Sequence, residues 1–158
     1  MFRHVISLLI LAALAGLVVW TFRAQRSALD AHQRKQEDVA AAQAAQVQAN
    51  CAQAAQDRFV RLGLDAAAGG TYKGHYNTAR NQCYQLIGSR RSAAGTDWKT
   101  FTLYDASGKV FGNYGWHSDS SGRAASPPYT CDVTLPSGAQ QTCASETEFR
   151  QLIGAYLQ

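Results

Sequence analysis

Cys131 and Cys143 flank a Pro-Ser-Gly triplet in "CDVTLPSGAQQTC", and no other stretch limits the fold of this chain as tightly. With the turn centred on Ser137, Gly138 takes the third loop position, where a three-residue hairpin requires a left-handed residue. In that register Leu135 faces Ala139, Val133 faces Gln141 and Cys131 lies opposite Cys143. Opposed strand positions hold Cβ atoms about 4.5–5.5 Å apart, close to disulfide range. The turn chemistry and the cysteine positions point independently to a Cys131–Cys143 bridge. The chain has four cysteines, so Cys51 and Cys83 pair by elimination.

An even cysteine count at wide spacing, with no CxxC pair, describes a disulfide framework in an oxidising compartment rather than a cytosolic metal site. Residues 5–22, "VISLLILAALAGLVVWTF", carry no charge, and a spanning helix needs roughly 17–25 residues. We expect residues 1–22 to be an uncleaved signal anchor. The rival reading is a signal peptide cut after Ala13-Leu14-Ala15, which would be unusually short and would leave an apolar new terminus. The flanking charge opposes export, because Arg3 precedes the run whereas Arg23, Arg26, Arg34 and Lys35 follow it. Long domains cross the membrane largely regardless of such charge. The cysteines therefore decide the orientation: a single pass through the inner membrane, with the C-terminal part on the periplasmic side.

Residues 23–50 form the second expected segment, a helical stalk. Ala24 to Asn50 holds nine Ala and six Gln with no Gly or Pro, a composition of strong helix formers. Leu29, Val39 and Val47 do not hold a heptad, so a solvated stalk is preferred over a coiled coil, with homo-oligomerisation through the stalk as the alternative. The third segment, 51–158, is expected to be an exported domain. Cys51, Ala55, Phe59 and Leu62 make one helical stripe that must pack on something, and Gly63 offers a stop.

Strand signals follow at Cys83 to Ile87, bounded by Gly88, and at Thr100 to Tyr104 and Val110 to Trp116 around "DASGK", which together read as a hairpin. "HSDSSGRAASPPY", from His117, is a loop by composition. Ser145 and Glu148 form a capping box, and Phe149, Leu152, Ile153 and Tyr156 line one face of a closing helix. The fold class is α+β: a membrane helix and stalk, then four or five antiparallel strands packed with N- and C-terminal helices and stapled by disulfides.

Chemistry is sparse. Net charge is +4, and no basic run interleaves with aromatics, so no nucleic-acid partner is expected. "GHYNTARNQCY", from Gly74, groups His75, Tyr76 and Asn77 with Cys83. A Cys/His nucleophile pair needs a free thiol, which the disulfide assignment removes. A metal site would draw on His75, His117 and Asp119, but none of these has i, i+4 or CxxC spacing. The preferred reading is structural, with His75, Tyr76 and Asn77 as a turn entering a strand and capping backbone groups. No cofactor and no metal are expected.

Cys51 with Phe59, His75-Tyr76-Asn77, Asn81-x-Cys83-Tyr84, and Cys131-x-Val133 … Cys143-x-Ser145 … Glu148-Phe149 with Tyr156 together resemble a group of small exported bacterial proteins of unknown function. These carry an HYN…C(F/Y) segment and a closing cysteine pair before an EF helix. The resemblance covers 51–158 and implies an exported, cross-linked domain with no catalytic residue. The function expected is a non-enzymatic, membrane-anchored envelope module that binds or assembles with an envelope protein or cell-wall partner. Its aromatics, in "WKTFTLY" and "FGNYGWH", supply either core or a contact surface. The alternative is an envelope hydrolase or metal-dependent enzyme using His75, His117 and Asp119.

Overall fold

In the computed structural model, helix α1 (Phe2–Arg61) leads into six strands: β1 (Thr71–Asn77), β2 (Gln82–Ala93), β3 (Thr96–Asp105), β4 (Val110–His117), β5 (Thr130–Thr134) and β6 (Gln140–Thr142). Helix α2 (Glu146–Ile153) and a 3-10 turn (Gly154–Tyr156) close the chain. The structure describes residues 2–118 and 127–158; before residue 32 it describes side chains only at Trp20, Arg26, Leu29 and Asp30. Among the described residues no helix is long and apolar enough to cross a membrane. The side chains of the apolar run 5–22, Trp20 excepted, lie outside that description, so the expected anchor does too.

The chain forms two units, Met1–Ala45 and Gln46–Gln158. The first is helical, and its Leu29 and Val39 are exposed. The second contains the end of α1, the sheet and α2. It begins at Gln46, a few residues before the boundary expected at Cys51.

The six strands form one antiparallel sheet in chain order. This order follows from short connections with legible turn chemistry. Ala94 (φ 50°) and Gly95 (φ 79°) make a two-residue loop with positive φ at both positions, the twist that matches the flanking strands. At "DASGK" the Asp105 carboxylate accepts from Gly108 N (2.9 Å), Lys109 N (3.0 Å) and Ser107 Oγ (2.6 Å), closing the β3–β4 turn. In the last hairpin Gly138 has φ 89°, Leu135 N donates to Ala139 O at 2.7 Å, and Val133 pairs with Gln141. The register is the one the Pro-Ser-Gly turn dictates. Cys131 is bridged to Cys143 and Cys51 to Cys83, with Cα–Cα separations of 5.1 and 5.6 Å.

Paired residues share a sheet face and neighbours along a strand alternate. One face presents Tyr84 and Leu86 of β2, Phe101 and Leu103 of β3, Tyr114 of β4, and Cys131 and Val133 of β5, all buried. The α2 side chains Phe149 and Ile153, with Tyr156 beyond them, complete this core. Ser145 Oγ accepts from Glu148 N (3.2 Å), but the Glu148 carboxylate reaches Ala144 N (2.8 Å) rather than the cap residue's own N–H, so the capping box is shifted by one residue. At Gly154 the backbone stays right-handed (φ −52°), so the glycine tightens the helix into 3-10 geometry without breaking it.

The other face meets the end of α1. Cys51, Ala55 and Phe59 are buried, whereas Leu62 is 50% exposed, because α1 ends at Arg61 and the chain turns away at Gly63 (φ 67°). The helix comes so close to β1 that a Cβ on Gly74 would strike the Cys51 and Ala52 backbone. Gln48 then acts as a strand substitute: its Nε2 donates to Gly74 O (2.9 Å) and its Oε1 accepts from Tyr76 N (2.9 Å). These main-chain groups lie on the open edge of the sheet, and pairing them blunts an edge that invites association.

Two strand expectations change. Thr71–Asn77 is a sixth strand, its alternation hidden by Gly74, the position where α1 crosses. β2 continues past Gly88 to Ala93, because Gly88 is a packing site rather than a stop: a Cβ there would meet the Phe101 ring at 2.7 Å.

Candidate functional site

Of the residues singled out in the sequence, His75 and His117 do not come together. His75, Tyr76 and Asn77 are the last residues of β1 rather than a turn; the turn is the 78–81 segment, in which Asn81 has φ 51°. Asn77 Oδ1 accepts from Arg80 N (3.0 Å), and its Nδ2 donates to Ala155 O and Tyr156 O (3.2 and 3.3 Å), tying the turn to the C-terminus. The Tyr76 hydroxyl bonds the Asn81 side chain. Tyr76 and Asn77 are therefore bonded to groups within the domain.

The two histidines are far apart. His75 pairs with Tyr84 of β2, and His117 pairs with Trp98 of β3, which pairs with Arg91 of β2. Tyr84 and Arg91 are an odd number of residues apart on one strand, so the histidines face opposite sides of the sheet, with about 23 Å of strand between their positions along β2. Asp119 lies outside the described residues. No cluster of three metal-ligating side chains occurs among the described residues. Cys83 is in a disulfide and holds no thiol.

His117 instead belongs to an aromatic group. Its ring stacks on Trp98 (centroids 4.9 Å, planes 17° apart), and Tyr129 stands edge-on to both, at 5.7 Å from His117 and 6.1 Å from Trp98. The Tyr129 ring lies over Gly115, where any Cβ would run into it. Strand alternation places Gly115 and His117 of β4 and Trp98 of β3 on one face. This is the face that meets α1 further along, but α1 ends before reaching this corner. Trp98 is 42% and Tyr129 52% exposed. Both aromatic segments were visible in the sequence as contact-or-core candidates. Tyr129 was not, because only the fold brings it over Gly115.

Hydrogen-bonding groups surround the rings. Thr100 and Thr102 of β3, Asn113 of β4, and Thr130 and Asp132 of β5 occupy the same face by register, and all are half-buried. Arg91 lies directly across from Trp98, exposed, and makes no ion pair among the described residues. Its neighbour Arg90 is on the opposite face, paired with Asp97 at 3.3 Å. Beside Arg91 a groove of about 400 Å³ runs between the 63–70 loop and the Ser89–Ala93 part of β2. Asp65 holds that loop, its Oδ1 accepting from Ala67 N (2.9 Å), and Gly69 O accepts from Arg90 N (3.0 Å).

Such a surface suits binding. Rigid aromatics with few rotatable bonds, ringed by donors and acceptors, are the usual anchors of a recognition site. The chain matches no protein-family model, no curated protein and no solved structure.

Proposed function

We propose that this chain is a membrane-anchored binding module of the bacterial envelope. Residues 5–22 are the anchor, and the Gln46–Gln158 unit is held outside the cytoplasm, where it engages a partner through the Trp98–His117–Tyr129 surface. The observation that carries this reading is the exposure of Trp98 and Tyr129, clustered with His117 on a corner of the sheet that neither helix covers. A contiguous exposed aromatic group, unlike a single exposed apolar side chain such as Leu62, is a feature of interaction surfaces. Two disulfides support an oxidising compartment. The apolar run of residues 5–22, long enough to span a bilayer, supports the anchor.

The test has two arms. A reporter fused after Gln158 should be active only on the periplasmic side; activity confined to the cytoplasm refutes the topology. A photo-crosslinking residue at position 98 in the full-length chain, expressed in cells, should trap an envelope component that the same residue at Thr147, exposed on α2, does not trap. Equal trapping at both positions refutes the surface.

A further inference from the structure

We infer that the ligand of this surface is an acidic glycan: a chain of pyranose rings, at least one of which carries a carboxylate. The inference rests on the binding-module reading and adds the chemical class of what is bound. The exposed rings are the first part of the argument. An aromatic ring has a negative face and a positive edge. The C–H bonds on one face of a pyranose present a flat, weakly positive, apolar surface to such a ring, while the sugar's hydroxyls point outward around its rim. Trp98 has one ring face against His117 and remains 42% exposed, with Tyr129 edge-on beside it. That is a floor and a wall for one sugar ring.

The second part is the rim. A sugar lying on Trp98 extends its hydroxyls along the sheet face, where Thr100, Asn113 and Thr130 offer hydroxyl and amide groups at register positions around the rings. Thr100 Oγ1 is shared with Ser89 Oγ (2.9 Å) and Thr130 Oγ1 donates to Asp132 (3.0 Å), so each hydroxyl keeps a lone pair free to accept from a sugar hydroxyl. A glycan uses that remaining capacity, whereas an apolar peptide does not.

The third part is charge. Arg91 stands across from Trp98 at the spacing of directly opposed strand residues, about 5 Å between Cβ atoms. Arg90 is neutralised by Asp97 on the other face, whereas Arg91 has no carboxylate partner among the described residues. A guanidinium presents a planar fork that matches a carboxylate. The groove of about 400 Å³ beyond Arg91 gives the chain a path from the stacked ring past the cation. Asp132, the carboxylate on β5, takes a hydrogen bond from Thr130 Oγ1 (3.0 Å) and lies on the far side of Gly115 from Trp98, and Asp65, which lines the groove with Arg90 and Arg91, accepts from Ala67 N (2.9 Å) of its own loop.

The experiment uses the full-length protein in detergent, a galacturonic acid hexamer as the acidic probe and its methyl ester as the neutral one, with binding followed by calorimetry. The acid hexamer should bind at least tenfold more tightly than the ester. Trp98→Ala should weaken both by tenfold or more, and Trp98→Phe, which keeps a stacking ring, should restore most of that loss. Arg91→Ala should bring the acid down to the level of the ester, while Arg150→Ala on α2 should change nothing. Equal binding of acid and ester overturns the inference, as does unchanged binding by Trp98→Ala. If neither probe binds while crosslinking at position 98 still traps a protein, the glycan class falls and the binding module stands.

Discussion

The sheet has two faces made from the same six strands, and they are finished differently. Under α2 the side chains of Tyr84, Leu103, Tyr114 and Val133 are buried, and the helix contributes Phe149 and Ile153 with no exposure to speak of. Under α1 the covering is partial: a helix end, a disulfide and a glutamine side chain hold β1 and β2, and the corner at β3 and β4 is left to Trp98, His117 and Tyr129. Stability is concentrated on the first face by apolar burial. On the second a smaller apolar set, Ala55, Phe59 and Ile87, is joined by a covalent tie and specific polar contacts, and Trp98 and Tyr129 stay partly exposed. Binding surfaces are commonly drawn from regions that burial does not need.

The largest expected difference between the faces is in core truncation. Phe149→Ala should cost about 3–5 kcal/mol through lost burial and a residual cavity, whereas Trp98→Ala should cost less, about 1 kcal/mol, as a change at a partly exposed site. Urea denaturation of both variants measures this. Equal losses would show that the aromatic corner is core and would remove the contrast.

Next come the staples. Cys51–Cys83 closes 32 residues and Cys131–Cys143 closes 12, so the chain-entropy account gives about 3.5 kcal/mol for the first and about 3 kcal/mol for the second. Replacing both cysteines of the first bridge by serine should therefore destabilise the domain more than the same change in the hairpin, whose turn already sets its register. The reverse order would mean that α1 is held to the sheet mainly by packing and by Gln48.

A smaller effect isolates Gln48. Gln48→Ala leaves Gly74 O and Tyr76 N without their partner and should cost about 1–3 kcal/mol; Gln48→Glu keeps the acceptor and loses the donor, and should lie between. A shortened chain beginning at Asn50 should show the same loss as Gln48→Ala. Identical thermal unfolding of chains beginning at Ala24 and at Asn50 would show that the glutamine clamp adds nothing.

The smallest effect is a pH dependence that belongs to the well-packed side. Burial raises the Asp105 carboxyl, but the Ser107 hydroxyl and the N–H groups of Lys109, Gly108 and Ser107 outweigh it, so its pKa lies below the ordinary 3.8. Glu146, at the start of α2, is likewise raised by burial and lowered further by Lys99 and Arg150, ending below its ordinary 4.5. A folded value below the unfolded one stabilises fully above the unfolded pKa and is lost as pH falls through the folded one. Stability should therefore drop from about pH 4 downward, and Asp105→Asn should flatten that drop. An unchanged acid limb in the asparagine variant would place the acid sensitivity elsewhere.

The readable parts of the fold were those governed by neighbours in sequence. Pro136-Ser137-Gly138 dictated a loop length, a positive φ at Gly138 and hence the strand register, all of which the hairpin adopts. Ser145 marked the start of α2, and the spacing of Phe149, Ile153 and Tyr156 marked its buried face. β1 and the outer half of β2 were not readable, because "TYKGHYN" and "GSRRSA" carry glycines and charges where a strand pattern expects apolar residues. Gly74 and Gly88 are there to admit Cys51 and Phe101, a requirement that exists only once α1 and β3 are in place.

Local chemistry in the sequence determined the Cys131–Cys143 disulfide, the turns and the α+β class, since caps, turns and opposed cysteines act over a few residues; Cys51–Cys83, 32 residues apart, followed only by elimination. Which aromatic faces water was a tertiary decision. His117 and Trp98 are nineteen positions apart and meet only through the β3–β4 register. Tyr129 joins them only because Gly115 leaves room for its ring. The same register sent His75 to the opposite face, because a pleated strand turns alternate residues outward on opposite sides and no count of residue types records which side is covered.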